Sequence, residues 1–259
     1  MEYVYSLQGR MEQYRDVLEQ VQVNDYDAAG RLELTTLGEL SSLFKYDELG
    51  RTLSYETLDN TPGSVNALKT ELTYDDLERE VSRTFTFSQH PAQVLSQDYD
   101  EFDRITERTL LQGTTELRKE TYKYDTRGRL TGYACSGELC PVDPYGKQIT
   151  EQVFGFDALD NIRQVLTRFE GGENRAIYWF DNDDDPAQLS RITNTFTDLY
   201  PAEIQLAYDP NGNMTVDDAG RVLEYDALNR LRRVTDAENR QHDYGYDPMN
   251  VLTSTNGPA

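Results

Sequence analysis

An acidic run, Asp181-Asn182-Asp183-Asp184-Asp185, is the first place where residue types and spacing could do chemistry. Closely spaced carboxylates and amides are typical of calcium-binding loops. An EF-hand loop needs Gly at its sixth position and Glu at its twelfth, where this chain has Pro186 and Ile192. We therefore interpret the run as an acidic turn and predict no metal site and no cofactor.

Two cysteines, Cys135 and Cys140, lie close together with four residues between them. Zinc would need two further ligands, and the histidines, His90 and His242, lie far away in sequence. A local disulfide is an alternative. Two cysteines in 259 residues are not a disulfide framework, so the sequence favours free thiols.

The remaining polar residues give little support for a catalytic site. Scattered Ser and Asp residues without a positioned His do not predict a triad. A hydrolase working with paired carboxylates would need two acids that converge in a pocket, and we rank this alternative last. We predict that the chain is not an enzyme.

A repeated phrase must position all of these residues, and its clearest copy is Tyr124-Asp125-Thr126-Arg127-Gly128-Arg129-Leu130. Eleven copies are spaced by 17 to 32 residues. Such a period is typical of one supersecondary unit copied along the chain. The copies begin at Tyr5, Tyr26, Tyr46, Tyr74, Tyr99, Tyr124, Phe156, Phe180, Tyr208, Tyr225 and Tyr246, and a shorter one lies at residues 216 to 222.

The second and fifth positions of the phrase predict a turn. The second is Asp in ten of eleven copies, with Ser6 as the exception, and an Asp side chain can start a turn by bonding the backbone two residues later. The fifth is Gly, Asn or Asp in every copy except that of Glu78, and these residues tolerate a left-handed backbone. This is the chemistry of a type I turn closed by a bulge. The predicted repeat-turn residues are Tyr26, Asp27, Gly30, Tyr46, Asp47, Gly50, Tyr74, Asp75, Tyr99, Asp100, Tyr124, Asp125, Gly128, Phe156, Asp157, Tyr208, Asp209, Gly212, Tyr225, Asp226, Tyr246 and Asp247.

The flanking residues predict strands on both sides of each turn. The residue two before the aromatic is apolar or aromatic in nine of eleven copies, and a period of two places both side chains on one face. Because an isolated hairpin is marginal in water, each must pair with its neighbour. The predicted fold class is all-β, a tandem array of antiparallel hairpins forming one continuous strip of sheet over residues 1 to 259, with an insertion at residues 134 to 150.

Two local alternatives accompany this fold. Residues 11 to 23 also fit a short helix with Met11, Tyr14, Val17, Leu18 and Val21 on one face, although the array favours a strand. Arg follows the turn in seven copies and either pairs with the Asp or lies solvated beside it. We favour solvated side chains, since exposed ion pairs contribute only about 0 to 1 kcal/mol.

The phrases Tyr225-Asp226-Ala227-Leu228-Asn229-Arg230-Leu231 and Tyr208-Asp209-Pro210-Asn211-Gly212-Asn213-Met214 resemble the repeats of the YD-repeat or Rhs family. That family includes the C components of bacterial insecticidal toxin complexes, Rhs polymorphic toxins and the animal teneurins. The resemblance covers essentially the whole chain. It implies a strip of sheet that spirals into a hollow shell around a C-terminal toxin segment, with this chain as part of the wall.

The same resemblance implies a self-cleaving aspartate in Asp-Pro-x-Gly elements of the family's core domain. This chain has two such phrases, at residues 143 to 146 and 209 to 212, but they lie 66 residues apart and the rest of the core pattern is missing. No catalytic residue is carried over.

Composition excludes several partners. The chain has 47 acids against 25 bases, a net charge of −22, so it lacks the basic surface that nucleic acid requires. No apolar run approaches the roughly 18 residues that span a bilayer. The start, Met1-Glu2-Tyr3-Val4-Tyr5, has neither a basic nor an apolar signal region, so we predict secretion by another route.

These observations predict a non-catalytic wall segment whose partners are the remainder of a toxin-complex shell and an enclosed toxin polypeptide. If the acidic charge lines an inner face, it would hold a basic, unfolded cargo by long-range attraction. The alternative is a carbohydrate- or cell-surface-binding module, in which exposed aromatic ladders stack on the sugar rings of glycans. Exposed first and last hairpins also predict edge-to-edge self-association.

Overall fold

The computed structural model of the chain describes residues 2–16, 18–183 and 185–257, and every assigned element in these ranges is a β-strand. All strand pairings are antiparallel, which confirms the predicted all-β fold class. None of the described residues forms an apolar helix of the length that a bilayer crossing requires.

The strands are mostly short and follow one another through tight connections. In chain order they are β1 (Glu2–Tyr5), β2 (Met11–Arg15), β3 (Val21–Tyr26), β4 (Leu32–Leu37), β5 (Leu40–Tyr46), β6 (Thr52–Asp59), β7 (Ala67–Tyr74), β8 (Glu80–Phe87), β9 (Gln93–Tyr99), β10 (Ile105–Gln112), β11 (Thr115–Tyr124), β12 (Leu130–Ser136), β13 (Ile149–Phe156), β14 (Ile162–Phe169), β15 (Gly172–Trp179), β16 (Arg191–Asn194), β17 (Glu203–Gln205), β18 (Ala207–Tyr208), β19 (Met214–Val216), β20 (Val222–Tyr225), β21 (Leu231–Thr235), β22 (Gln241–Tyr246) and β23 (Leu252–Asn256).

The chain divides into two compact units. Unit 1 comprises Met1–Tyr122 and Cys135–Cys140, and in it each strand from β1 to β10 pairs with the next one along the chain. Unit 2 comprises Lys123–Ala134 and Pro141–Ala259. In it, β12 to β17 pair in sequence, and β18 to β23 form a six-stranded sheet in the same manner.

The register explains how a period-two pattern builds each unit. Phe44 lies opposite Tyr55, Tyr55 opposite Thr70, and Thr70 opposite Phe85, so one face of unit 1 carries a row of large side chains. At the repeat aromatic the register shifts by one residue, as between Lys45 and Tyr46. This shift is the bulge that the turn chemistry predicted.

The apolar layer is thin. Leu72 is only 6% exposed and Thr70 is fully buried, yet most strand residues of unit 1 remain half-buried. In unit 2 the buried apolar side chains gather around Val165, Leu166 and Phe169. Since burial contributes roughly 25 cal/mol per Å² of apolar surface, so thin a layer must be supplemented by polar contacts between strands.

The described residues between 11 and 23 belong to two strands and the turn that joins them, as the array predicted, and do not form a helix. Strand β2 ends at Arg15 and β3 begins at Val21, with a turn between them. Val17, which belonged to the helical alternative, lies outside the described residues. Tyr14 pairs across the strands with Gln22.

The prediction of free thiols is wrong, because Cys135 and Cys140 form a disulfide. The chain turns sharply at Gly137, directly after β12. The backbone N–H of Leu139 donates to the carbonyl of Leu117 at 3.0 Å. This docking brings the two Cα atoms to 5.8 Å, a separation that a disulfide requires. Sequence spacing alone did not show that the loop doubles back on β11.

Gly137 is predicted to be irreplaceable. Its φ is +104°, and a Cβ at this position would lie 2.4 Å from the Leu117 carbonyl oxygen. Gly137→Ala should therefore destabilise unit 1 by more than the roughly 1 to 2 kcal/mol that a left-handed residue costs. Gly113→Ala is the matched control, since Gly113 has φ +60° and open space around its Cα. Urea denaturation followed by circular dichroism measures both, and equal losses would contradict the steric argument.

Candidate functional site

The repeated turn is the candidate site, and the copy at Asp47 shows its construction. The N–H of Asp47 donates to the Arg51 carbonyl at 2.9 Å, and the N–H of Gly50 donates to the Asp47 carbonyl at 3.0 Å. One carboxylate oxygen of Asp47 accepts the N–H groups of Leu49 and Arg51 at 3.0 and 2.9 Å. The other accepts Nε–H of Arg51 at 2.7 Å. One aspartate thus closes the turn from inside.

The other predicted turns repeat this geometry. The carboxylates of Asp27, Asp75, Asp100, Asp125, Asp157, Asp209, Asp226 and Asp247 each accept the backbone N–H four residues later, at 2.8 to 3.1 Å. The fifth residue has a positive φ in each, including Gly30, Gly128, Gly212 and even Glu78, whose φ is +67°. Ser6 replaces the Asp in the first copy, and its hydroxyl accepts the N–H of Arg10 at 3.1 Å.

The ion pair across the turn is present, so the favoured interpretation of solvated side chains is wrong. Eight turns place an Arg nitrogen 2.6 to 2.7 Å from the Asp carboxylate, and these Asp side chains are only 7% to 26% exposed. The pairs are Asp27 with Arg31, Asp47 with Arg51, Asp75 with Arg79, Asp100 with Arg104, Asp125 with Arg129, Asp217 with Arg221, Asp226 with Arg230 and Asp236 with Arg240. In the copies at Asp157 and Asp209 an Asn amide takes the place of the guanidinium, at 3.1 and 2.9 Å.

The guanidinium is held because it lies on the aromatic ring of the next repeat. The Arg31 guanidinium carbon is 4.6 Å from the centre of the Tyr46 ring, and Arg51 is 4.5 Å from that of Tyr74. Such cation–π contacts contribute about 0.5 to 1 kcal/mol when exposed and more when desolvated. Four further pairs share the arrangement at 4.7 to 5.7 Å: Arg10 with Tyr26, Arg79 with Tyr99, Arg129 with Phe156 and Arg230 with Tyr246.

The tyrosine hydroxyl completes the contact between repeats. Tyr74 donates its hydroxyl to the carbonyl of Thr52 at 2.7 Å, the residue that begins the strand after the preceding turn. The hydroxyls of Tyr26, Tyr46, Tyr99, Tyr208 and Tyr246 donate in the same way to Met11, Leu32, Glu80, Leu189 and Leu231 at 2.7 to 3.0 Å. We call the stacked Arg together with this hydroxyl bond the inter-repeat clamp. Tyr225 is half-buried, and burial raises the pKa of its phenol.

An Asp or Asn at the fifth position of a turn also accepts a hydrogen bond from the arginine of the preceding turn. Arg79 donates to the carboxylate of Asp103 in the next turn at 2.8 Å, and Arg129 donates to Asp160 at 2.7 Å. Arg230 reaches Asn250 at 3.0 Å. Sequence reasoning identified this position only as one that tolerates a left-handed backbone, so it missed the acceptor role.

Three further turns of the same geometry were missed or taken for something else. They open at Asp16, Asp143 and Asp236, with Glu19, Gly146 and Asn239 in the left-handed region. None follows an aromatic residue, which is why the phrase did not find them. In the copy that begins at Phe180 the turn bond joins Gln188 to the Asp185 carbonyl, later than expected, and Asp184 lies outside the described residues.

The part of the insertion that follows Cys140 belongs to an aromatic cluster in unit 2. The Tyr200 hydroxyl donates to the carboxylate of Asp143, and the Tyr145 ring lies 4.5 Å from that of Tyr200. Burial and Asp143 together raise the pKa of Tyr200. Phe169 packs against the same tyrosine, with ring centres 6.2 Å apart. Asp143 is therefore a structural anchor. Among the described residues no group of three metal-ligating side chains is assembled, the acidic run included.

Comparison with known proteins finds a family model that matches one repeat and solved structures that share the fold. A family model for the RHS Repeat matches residues 225–259. The crystal structure of TcdB2-TccC3-Cdc42 matches with a TM-score of 0.68 at 13% identity, over 98% of this chain and 15% of that one. The Tc holotoxin pore of Photorhabdus luminescens matches with a TM-score of 0.66 at 14% identity, over 91% of this chain and 13% of that one. No curated protein matches the sequence. The chain thus spans about one seventh of the structures whose fold it shares.

The tyrosine hydroxyls of the clamp should each stabilise the sheet measurably. Tyr74→Phe removes the bond to the carbonyl of the half-buried Thr52, so we expect a loss of about 1 kcal/mol in the free energy of unfolding. Tyr3→Phe is the control, because Tyr3 is 52% exposed. Urea denaturation of the full chain compares the two variants. Indistinguishable midpoints would show that the Tyr74 hydroxyl does not stabilise the sheet.

Acid should weaken the turns. The backbone N–H of Arg31, followed by its guanidinium, holds the pKa of Asp27 below its ordinary value. A lowered folded-state pKa contributes stability above the unfolded-state pKa of about 4, and this contribution disappears as pH falls through the folded-state value. Asp27→Asn should therefore lower the urea midpoint at pH 7 and have a shrinking effect below about pH 4. Glu48→Gln, on an exposed turn position, is the control. A pH-independent effect of Asp27→Asn would refute the linkage.

Proposed function

We propose that the chain, whose residues 225–259 match the RHS Repeat model, is a YD/Rhs-repeat protein and a non-catalytic wall segment of a shell that encloses a toxin polypeptide. Its partners would be the remainder of that shell and the enclosed toxin. The supporting observation is the inter-repeat clamp, whose two contacts join successive repeats at Tyr26, Tyr46, Tyr74, Tyr99 and Tyr246. Because each repeat contacts only its neighbours, further hairpins can be added to the sheet, and the result is an extended wall rather than a pocket.

A passive role is supported by the two Asp-Pro-x-Gly phrases. One carboxylate oxygen of Asp143 accepts the N–H groups of Tyr145 and Lys147, and the other accepts the Tyr200 hydroxyl. Asp209 caps its turn through Asn211 and Asn213. Because these carboxylates are occupied in closing turns, neither is placed to act as an acid or a nucleophile. We propose no catalytic activity for this segment.

The charged side chains on the strand faces of unit 1 do not support the predicted acidic inner face. On the face opposite the repeat tyrosines, Glu71 is paired with Lys69 at 2.7 Å, and Glu107 with Lys119 at 2.7 Å. Lys69 also lies directly across from Glu56. Acids and lysines are thus interspersed on this face. The wall would hold its cargo by enclosure rather than by charge attraction.

The glycan-binding alternative loses its main support. Sugar rings stack on open aromatic faces, whereas the rings of Tyr46, Tyr74 and Tyr99 are covered by guanidinium groups at 4.5 to 4.7 Å. Their hydroxyls are engaged by backbone carbonyls as well. We therefore keep the wall role alone and propose that the assembled protein acts outside the cell that makes it.

The wall role predicts a protected cargo. In the natural polypeptide that carries this segment, the toxin portion should resist protease, and replacing Arg79 and Arg129 with Ala should expose it by removing two turn-to-turn contacts. Limited proteolysis with mass spectrometry reads out the cleavage rate of the cargo. Arg232→Ala, on an exposed strand position, is the matched control. A cargo cleaved as fast in the parent as in its free form would refute enclosure.

A further inference from the structure

Unit 1 has an open groove at the end of its strands that lies away from the tyrosine turns. The groove measures about 490 Å³ and runs between the β6–β7 and β8–β9 connections. Leu40, Leu68 and Phe87 form an apolar floor. This volume falls in the range of small-molecule sites. We call it the edge groove, and its other lining residues are Thr57, Asp59, Asn66, Ala67, Ser88, Gln89 and His90.

The register explains why these side chains meet. Thr57 lies directly across from Leu68, and Leu68 lies directly across from Phe87. They stand next to the row of large side chains described above and continue the same face of the sheet. In the next row outward, Leu40 lies directly across from Asp59. The apolar face of unit 1 thus ends at one carboxylate.

Asp59 carries a negative charge that no base neutralises. Its carboxylate accepts the hydroxyl of Ser64 at 2.7 Å, the side-chain amide of Asn66 at 3.2 Å and the backbone N–H of Thr61 at 3.1 Å. These neutral donors, the Ser64 hydroxyl first, hold the pKa of Asp59 well below its ordinary value. Among the described residues no lysine or arginine lines the edge groove. A cationic ligand would therefore meet an uncompensated charge of opposite sign.

Phe87 supplies an aromatic ring that no cation covers. The rings of Tyr46 and Tyr74 each carry a guanidinium group of the preceding repeat. Within the described part of the chain, Phe87 has no such partner, and its ring neighbour is His90, in a T-shaped arrangement with ring centres 6.4 Å apart. An aromatic face attracts a cation that lies within about 6 Å of its centre.

The polar side chains of the edge groove already bond to one another. Gln89 donates to the side chain of Asn66 at 3.3 Å, and the Ser88 hydroxyl accepts the backbone N–H of Ala67 at 3.1 Å. A ligand rich in hydrogen-bonding groups would have to break these bonds or leave its own groups unpaired. The edge groove thus offers charge, an aromatic face and apolar surface, but few hydrogen bonds.

The spacing of the charge and the ring selects the kind of cation. Asp59 and Phe87 end strands β6 and β8, which lie two strands apart, or roughly 10 Å across the sheet. A cation about 6 Å from the ring is then several ångströms from the carboxylate, a gap that alkyl groups fill. A metal ion needs a cluster of ligands, and none is assembled among the described residues. A primary amine needs free acceptors for its three N–H groups.

We propose that the edge groove binds a small quaternary ammonium compound, with the cation between Asp59 and the ring of Phe87 and its alkyl groups on Leu40 and Leu68. Charge attraction and the aromatic face hold the nitrogen, and burial of the alkyl groups adds apolar contact. An anionic group on the ligand would be repelled by Asp59, so choline fits better than phosphocholine. This inference goes beyond the wall role and does not depend on an enclosed toxin.

Titration of the full chain with choline, followed by NMR shifts of the backbone amides, tests the proposal. We expect a dissociation constant on the order of 1 mM, with the shifts confined to residues around the edge groove. The tert-butyl analogue of choline, in which carbon replaces the charged nitrogen, has the same shape without the charge. It should bind about tenfold more weakly than choline. Phosphocholine should also bind more weakly than choline.

Two substitutions separate the charge from the ring. Asp59→Asn should weaken choline binding about tenfold and leave binding of the tert-butyl analogue unchanged. Phe87→Leu keeps the floor apolar and should weaken choline binding about threefold. The matched controls, Asp76→Asn and Phe102→Leu, change an exposed acid and an exposed ring in turns at the opposite end of the strands. Both should bind choline like the parent.

The fold of each variant is checked separately, because Asp59 also organises the β6–β7 connection. Circular dichroism and the amide shifts of residues 60 to 66 show whether Asp59→Asn keeps its structure. The tert-butyl analogue and Phe87→Leu test the same site without that substitution. The proposal is overturned if choline shifts no amides of the edge groove, if the tert-butyl analogue binds as tightly as choline, or if either folded variant binds choline like the parent.

Discussion

The stacking of turn arginines on the aromatic ring of the following repeat is the interaction on which the rest of the structure depends. Arg31, Arg51 and Arg79 each hold their own Asp with one side of the guanidinium and lie on the next ring with its face. The ring's hydroxyl then bonds the strand that follows the first turn. A single side chain thus closes one hairpin and docks the next.

This linkage compensates for a thin core. A sheet with a few deeply buried apolar residues, such as Leu72 and Phe169, cannot depend on a packed interior. Its stability is instead distributed as a sum of similar contacts between neighbouring repeats, which is the behaviour of quasi-one-dimensional proteins. Each contact is partly shielded, since the Asp side chains are largely covered by the arginine and the turn backbone. The geometry raises these pairs above ordinary surface ion pairs, which contribute little.

The connections at the two ends of the strands have diverged in character. In unit 1, turns at one end are short, acidic and uniform, as at Asp47 and Asp75, because the clamp requires the same geometry each time. Connections at the other end vary in length and carry the particular features of the chain. These include the network around Asp59 and, at the insertion, the disulfide of Cys135 and Cys140. Repetition constrains one edge and leaves the other free to specialise.

The sequence by itself determined the hairpin turns, the all-β class and most of the pairings between successive strands, although β17 and β18 lie in different sheets where one continuous sheet was predicted. These are local properties, since an Asp and a left-handed residue three positions later, as in Asp47 and Gly50, specify a turn without reference to distant residues. Requiring an aromatic first residue hid the turns at Asp16 and Asp236, although their local chemistry is the same. Only the tertiary structure decided where Arg51 and the Tyr74 hydroxyl would bind, because their partners lie 20 or so residues away and become neighbours when the hairpins pair. The disulfide and the partly shielded ion pairs were also decided by the tertiary structure, because docking against a neighbouring strand removes part of the water that made free thiols and solvated charges the expected state.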